Sequence, residues 1–210
     1  ATILGAFILA LLPSVGGGVI RDLAFGRFPV WIIQNPRSIL ILLVLVFVGF
    51  IFIRLQKKIC PNLSDKTFRI TSHLIVFADA IGLAVFSVTG VIVSLVVKAD
   101  PLWLWGPFLA FLTGAGGGML RDLFIRSKNV SVVYGEIYGE MAIIWGAVLS
   151  IYLIITAGNT DPTHIRNAVI LVVIGNVISQ LCIHYFKVPN IRFGTSSDAQ
   201  DPTENKESER

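Results

Sequence analysis

Long apolar stretches separated by short polar ones organise this chain. A membrane core about 30 Å thick is crossed by roughly 20 apolar residues of helix, and six stretches of the sequence reach or approach that length. They are Ala1–Ile20, Ile39–Ile53, the segment between Arg69 and Lys98, Pro101–Leu120, Met141–Ala157 and Asn167–Ile183. The strict alternation of a membrane β-barrel does not occur in the sequence. We therefore expect an all-α polytopic membrane protein with six spans.

The composition excludes several classes of protein. Of the 210 residues, 54% are hydrophobic and only 14% are charged, whereas an average globular chain is about one-quarter charged. A soluble enzyme domain and a disordered chain do not fit these values, and the 2 cysteines are too few for a disulfide scaffold. The net charge of +4 requires no nucleic-acid partner. Because no nucleophile–base pair or set of metal ligands stands out, we expect a protein without enzymatic activity, metal or cofactor, whose partner is the lipid bilayer.

The basic residues predict how the spans are oriented. With six alternating crossings, one side of the membrane receives 12 of the 17 Lys and Arg residues and the other side receives 5. The richer side holds the loop between the second and third spans, the loop between the fourth and fifth spans, and the C-terminal tail. Cytoplasmic loops carry the excess of Lys and Arg, so we expect a multi-pass protein of the inner membrane with a cytoplasmic C-terminus.

The sequence contains an internal repeat. The segment Gly16–Leu23 and the segment Gly116–Leu123, one hundred residues later, both read Gly-Gly-Gly-x-x-Arg-Asp-Leu. The two copies lie on the first and fourth spans, which are three crossings apart, so they run in opposite directions. Inverted repeats of this kind are a recurrent architecture for moving solutes through membranes, with the site where the two halves meet.

The two glycine triplets are the first candidates for that site. They consist of Gly16, Gly17 and Gly18 in the first copy and of Gly116, Gly117 and Gly118 in the second. Each glycine costs about 1 kcal/mol relative to alanine in a helix interior, which favours a bend or break that opens a conduction path. The alternative is that the glycines let helices pack closely, as small residues do in membranes.

Five charged residues are candidates for a role in that path. Arg21 and Asp22 follow the first triplet, and Arg121 and Asp122 follow the second. Each arginine either extends to the lipid headgroups at a helix end or stands near one mouth of the path. Asp79 has apolar neighbours in the third span, and a carboxylate at membrane depth is a functional candidate by default. It could bind a cation, pair with an arginine or lie at the membrane surface.

Three further polar residues are weaker candidates for lining the path. Ser87 and Thr89 lie in the third span, where each hydroxyl either bonds to its own helix or faces the path. Glu136 precedes the fifth span and forms a pair with Glu140, four residues later. Acidic residues are favoured near a helix N-terminus, so a simple charged cap is the alternative for this pair.

Several motifs together resemble the prokaryotic TRIC family, the trimeric intracellular cation channel homologues, which are also known as a glycine-transporter domain family. They are the doubled Gly-Gly-Gly-x-x-Arg-Asp, the segment Asp79–Phe86, Arg27-Phe28-Pro29 after the first copy, and Glu136-Ile137-Tyr138. The resemblance runs from about Ala1 to Pro189. It implies a homotrimer in which each seven-helix protomer carries a pore for K⁺ and Na⁺, lined by two helices that kink at the glycine triplets.

The resemblance also implies how the chain divides. Family members have three helices, three inverted helices and one final helix, and the six spans found here correspond to helices two to seven. We therefore expect the first repeat at residues 1–68 without its helix one, the second repeat at 69–158, the final helix at 159–190 and a disordered polar tail at 191–210. The first triplet follows Pro13-Ser14-Val15, whereas the second follows Thr113-Gly114-Ala115, which is the more usual form.

A secondary transporter for a small zwitterion such as glycine is the main alternative to a channel. The same inverted repeat suits alternating access. An arginine can bind a carboxylate through two hydrogen bonds, and an aspartate can accept hydrogen bonds from an ammonium group. The paired Arg-Asp motifs would then be substrate ligands.

Overall fold

The computed structural model describes residues 3–59, 65–125, 139–156 and 162–186, and every regular element in those ranges is helical. The helices are α1 (Ile3–Ala24), α2 (Trp31–Gln34), α3 (Pro36–Ile59), α4 (Asp65–Val96), α5 (Leu102–Ile125), α6 (Gly139–Ile155) and α7 (Pro162–Phe186). The six long helices confirm the predicted all-α fold. The sequence pattern missed α2, because a single helical turn has no measurable periodicity.

Within the described residues, three helices are long and apolar enough to cross a membrane by length and composition. These segments are Phe7–Ala24, Val76–Val96 and Pro162–Phe186. The apolar helical segments Pro36–Ile51 and Gly139–Ile155 are shorter. Large apolar side chains on the outside of α3 are exposed, as expected for a surface that faces lipid rather than water. They are Leu40, Ile41, Val44, Leu45, Phe47, Val48 and Ile51.

The helix α5 lies at the centre of the bundle. It packs against α1, α4 and α6, while α7 covers α4 and α6, and α3 lies at the edge against α1 and α2. The buried cluster between α4, α5, α6 and α7 is built from small and medium apolar side chains. Its members are Val88, Val91, Ala110, Leu149, Ala168 and Val172.

Glycines allow the helices around α5 to approach closely. A Cβ atom placed on Gly90 of α4 would lie 2.3 Å from the carbonyl oxygen of Leu109 in α5. A Cβ on Gly146 of α6 would lie 2.7 Å from the Cβ of Ala110. Such distances are shorter than real contacts, so these interfaces require small residues, as is typical of membrane helices. Bundle stability therefore depends on close backbone packing as well as on apolar area.

The helix α1 ends in a Schellman motif that shapes the segment after it. The amide of Arg27 donates to the carbonyl oxygen of Asp22 at 2.8 Å, and the amide of Gly26 donates to that of Leu23 at 3.2 Å. Gly26 has a φ of 62°, which glycine adopts at no steric cost. The chain consequently turns back, and Arg27 comes next to the last turn of α1.

The helix α4 ends in the same motif without a glycine. The amide of Ala99 donates to the carbonyl oxygen of Ser94 at 2.9 Å, and the amide of Lys98 donates to that of Leu95 at 3.0 Å. Lys98 has a φ of 53°, a left-handed conformation that is unfavourable for a residue with a Cβ. The end of α4 therefore carries a local strain that the end of α1 does not.

Candidate functional site

The two glycine triplets meet where α1 crosses α5. A Cβ atom on Gly17 would lie 2.1 Å from the carbonyl oxygen of Thr113, and one on Gly117 would lie 2.3 Å from that of Pro13. Positions 13 and 17 of the first copy correspond to positions 113 and 117 of the second, so the contact is reciprocal. The partner number falls from 117 to 113 as the position rises from 13 to 17, which is the register of antiparallel helices. This geometry confirms the predicted inverted repeat.

The helices α1 and α5 are continuous through both glycine triplets, so the predicted break does not occur in them, whereas the predicted bend stays a prediction. The first two glycines of each triplet serve instead as packing positions. A Cβ on Gly16 would lie 2.8 Å from Cδ1 of Leu120, and one on Gly116 would lie 3.4 Å from Cδ1 of Ile20. The close approach offsets the low helix propensity of glycine, so the helices need no break here.

The third glycine of each triplet points away from the crossing. A Cβ on Gly18 would have Nη2 of Arg21 as its nearest neighbour, at 3.9 Å. A Cβ on Gly118 would meet no atom of the described residues within 4 Å. These two glycines are therefore free of the packing role and face open space. Gly18 lines the cavity described next.

A cavity of about 420 Å³ lies between α1 and α4; we call it the α1–α4 cavity. The segment that includes α2 contributes to one end, and α5 contributes Thr113. Most of its wall is apolar, and its polar groups are three hydroxyl side chains and a charged cluster. The lining residues are Ser14, Val15, Gly18, Val19, Arg21, Asp22, Arg27, Val30, Trp31, Ile32, Val85, Phe86, Thr89, Ile92, Val93, Val96 and Thr113.

The charged cluster is centred on a buried ion pair. Arg21 donates from Nε and Nη2 to Oδ1 of Asp22 at 2.9 and 2.7 Å, and the two residues are 3% and 0% exposed. The other carboxylate oxygen, Oδ2, accepts a hydrogen bond from the amide of Trp31 at 2.8 Å. The first Arg-Asp motif is therefore internally neutralised. The alternative in which Arg21 extends to the lipid headgroups is wrong for this copy.

A second arginine gives this end of the cavity a small positive charge. Nη1 of Arg27 lies 3.9 Å from Oδ1 of Asp22, and its side chain is 27% exposed. One carboxylate therefore faces two guanidinium groups, which leaves one formal positive charge. Sequence reasoning did not select Arg27 for the site, although the Schellman motif around Gly26 was the signal that could have placed it there.

The second Arg-Asp motif differs from the first. Arg121 is partly buried in α5, and the side chain of Asp122 lies outside what the structure describes. Arg121 is not among the residues that line the α1–α4 cavity. The structure therefore brings Arg21 and Asp22 to this cavity but not Arg121. The assignment of the two Arg-Asp motifs to the path stays a prediction.

The remaining candidates are spread over different parts of the bundle. Asp79 is exposed on α4 and does not line the α1–α4 cavity. Ser87 is buried and donates to the carbonyl oxygen of Leu83 at 2.7 Å, so its hydroxyl bonds to its own helix away from this cavity. Thr89 donates to the carbonyl oxygen of Val85 at 2.7 Å, and Thr89 lines the α1–α4 cavity. Glu136 lies outside the described residues.

One feature of the sequence pointed to Thr113, which was not among the predicted site residues. At this position of the repeat the two copies differ, since Pro13 is the counterpart. No group of three or more His, Cys, Asp and Glu residues comes together in the described ranges to hold a metal ion. The uncharged side-chain oxygens that line the α1–α4 cavity belong to Ser14, Thr89 and Thr113.

Comparison with known proteins places the chain in a family. The family model described as "Glycine transporter" matches residues 1–54 and 76–154, which is more than half of the chain. The protein YvgT of Bacillus subtilis (strain 168), a UPF0126 membrane protein, is 30% identical over 193 residues, 91% of this chain and 84% of that protein. The UPF0126 inner membrane protein YadS of Escherichia coli (strain K12) is 30% identical over 144 residues, which cover 69% of this chain and 63% of YadS.

Solved structures agree with this placement. One solved structure concerns conductance through TRIC cation channels. Its chain has a TM-score of 0.69 at 22% identity, and the match covers 92% of this chain and 86% of that one. The TRIC trimeric intracellular cation channel orthologue from Rhodobacter sphaeroides has a TM-score of 0.66 at 26% identity. The match covers 89% of this chain and 86% of that one. The chain is thus a helical membrane protein that belongs to the glycine-transporter domain family and shares the fold of the TRIC channels.

Proposed function

We propose that this chain is a subunit of a monovalent cation channel permeable to K⁺, and that the α1–α4 cavity is one vestibule of its conduction path. The observation that carries the proposal is the position of the cavity. It begins at the C-terminal ends of α1 and α4 and reaches Thr113, whose carbonyl oxygen touches the α1–α5 crossing. Solute sites in inverted-repeat proteins lie where the two halves meet, and this crossing is that place.

The buried ion pair removes the main electrostatic objection to cation passage. Two unneutralised arginines in a low-dielectric path would repel cations strongly. Here Asp22 takes both hydrogen bonds from Arg21, so the excess positive charge among the lining residues comes from Arg27. By the symmetry of the repeat, Arg121 and Asp122 would stand at the opposite mouth. The third glycines, Gly18 and Gly118, keep the face beside each arginine open.

The assembly and orientation are further parts of the proposal. The Rhodobacter sphaeroides relative is described as trimeric, and we propose that this chain also forms a homotrimer with one path per protomer. The Escherichia coli relative is an inner membrane protein, and the distribution of Lys and Arg favours a cytoplasmic C-terminus. The α1–α4 cavity would then open on the opposite side of the membrane, next to Arg27 and Lys98. Cross-linking of membranes and a C-terminal reporter fusion test the two statements.

The channel hypothesis is tested by reconstituting the purified full-length protein into a planar bilayer under a KCl gradient. Discrete unitary currents that reverse near the K⁺ equilibrium potential would support it. Currents that reverse near the Cl⁻ equilibrium potential, or silence in bilayers shown to contain the protein, would contradict it. A protein-free bilayer made from the same lipid and detergent is the matched control.

Transport of glycine is the second candidate, favoured by the description of the matching family model. In this structure Arg21 and Asp22 are bound to each other, so they do not offer separate sites for the carboxylate and the ammonium group of a zwitterion. The wall of the α1–α4 cavity is also mainly apolar. Accumulation of labelled glycine in liposomes that carry no unitary currents would nevertheless replace the channel hypothesis with this one.

A further inference from the structure

The α1–α4 cavity contains three hydroxyl groups whose protons are already committed. Ser14 donates to the carbonyl oxygen of Ala10 at 3.4 Å, Thr89 to that of Val85 at 2.7 Å and Thr113 to that of Leu109 at 2.6 Å. A hydroxyl group has one proton and two lone pairs. Each of these groups therefore has only lone pairs left for the cavity. Such groups accept hydrogen bonds and bind cations, but they do not donate to an anion.

Thr113 and Thr89 lie at the inner end of the cavity, away from the C-terminal ends of α1 and α4. Thr113 is at the α1–α5 crossing, because its carbonyl oxygen is in contact with Gly17. In the packing of α4 on α5, Gly90 meets Leu109 and Gly114 meets Ser87. This antiparallel register places Thr113 at the level of residues 86–88 of α4, so Thr89 is within one helical turn. Ser14, by contrast, is exposed on α1.

The surroundings of this hydroxyl pair select the class of ion. The carboxylate of Asp22 lines the same cavity, but Arg21 and the amide of Trp31 occupy its two oxygens. Divalent cations such as Ca²⁺ require several ionised or carbonyl oxygens, and no available carboxylate is among the lining residues. A monovalent cation that keeps part of its water shell needs only a few neutral oxygens. The apolar wall, including Val15 and Phe86, limits the water that could compete for the ion.

We propose that Thr89 and Thr113 form a neutral hydroxyl site that binds a partly hydrated monovalent cation at the inner end of the α1–α4 cavity and sets the preference between K⁺ and Na⁺. This inference rests on the proposed channel function and adds the residues that discriminate ions. The site is single rather than duplicated, because the repeat counterpart of Thr113 is Pro13, whose side chain has no oxygen.

The test uses valine substitutions that remove the hydroxyl and nearly keep the volume. The full-length variants Thr89→Val, Thr113→Val and the double variant are compared with wild type in planar bilayers under bi-ionic K⁺ and Na⁺ conditions. The double variant is expected to change the K⁺/Na⁺ permeability ratio at least threefold and to lower the unitary conductance, and Thr113→Ser is expected to retain the wild-type ratio. Ser94→Ala is the matched control, because Ser94 is buried and bonds to its own helix at Val91 but does not line the cavity.

The outcomes separate this inference from the function on which it rests. Wild-type cation currents with an unchanged ratio and conductance in the double variant would overturn the hydroxyl site and leave the channel intact. A wild type without cation currents would overturn both. An equal change in Ser94→Ala would also overturn the site, since it would show that any loss of a buried hydroxyl alters the path. Thermal unfolding of each variant, expected within 3 °C of wild type, establishes that the comparison is between folded proteins.

Discussion

Replacing Gly17 by alanine is expected to weaken the α1–α5 crossing. The new Cβ would lie 2.1 Å from the carbonyl oxygen of Thr113, whereas ordinary contact begins at 3.4 Å, so the helices must separate by up to 1.3 Å. Overpacking of this kind costs up to about 3 kcal/mol, and alanine regains about 1 kcal/mol of helix propensity. The net loss of unfolding free energy is therefore up to about 2 kcal/mol. Denaturant titration of the purified protein, followed by circular dichroism, measures it.

The chain contains its own controls for this prediction. Gly118 belongs to the equivalent triplet, but a Cβ there meets nothing within 4 Å, so Gly118→Ala should stabilise the protein by up to about 1 kcal/mol. Gly117→Ala should behave like Gly17→Ala, because its Cβ would lie 2.3 Å from the carbonyl oxygen of Pro13. Equal stability of the Gly17 and Gly118 variants would refute the view that the first two glycines of a triplet are packing positions.

Three further substitutions test other features of the fold by the same unfolding measurement. Asp22→Asn leaves the buried guanidinium of Arg21 without its counter-charge and should cost about 3 kcal/mol; adding Arg21→Met should recover part of that loss, and strict additivity would contradict the pairing. Lys98→Gly removes the left-handed strain at the end of α4 and should stabilise by about 1 kcal/mol; a loss would show that the lysine side chain is needed there. Asn176→Leu replaces a fully buried amide whose nitrogen and oxygen have no hydrogen-bond partner among the described residues and should stabilise by about 1 kcal/mol, whereas destabilisation would show that the amide is satisfied.

The architecture could be predicted from the sequence because the apolar segments and the repeat both extend over long stretches of the chain. Apolar length predicts spans, and two copies separated by three crossings must point in opposite directions. The reciprocal contacts of Gly17 and Gly117 in the structure agree with that prediction. The helices run unbroken through both triplets, which propensity did not predict, because the propensity of one helix gives no information on the neighbouring helix that compensates for the glycines.

The candidate site was only partly predictable for a related reason. Arg21 and Asp22 are adjacent in the sequence, but whether their side chains bind each other depends on whether they are buried. Their burial in turn depends on the turn that brings Trp31 back to α1. Asp79 was selected because its sequence neighbours are apolar, yet its side chain is exposed on the outer part of α4. Thr113 is a single hydroxyl in a long apolar helix, and such a hydroxyl usually bonds to its own backbone. It does so here, and it lines the cavity as well.

The α1–α5 crossing also determines how the two halves can move. The contact at Gly17 is made by main chain rather than by side-chain torsions, so it behaves as a pivot that tilts but does not compress. From Gly17 to the end of α1 at Ala24 the lever arm is about 10 Å. A tilt of about 10° about the pivot displaces that end by about 2 Å. This displacement is comparable to the radius of a water molecule. Small rotations at the centre of the bundle are thus converted into width at its mouths, while the centre keeps its dimensions.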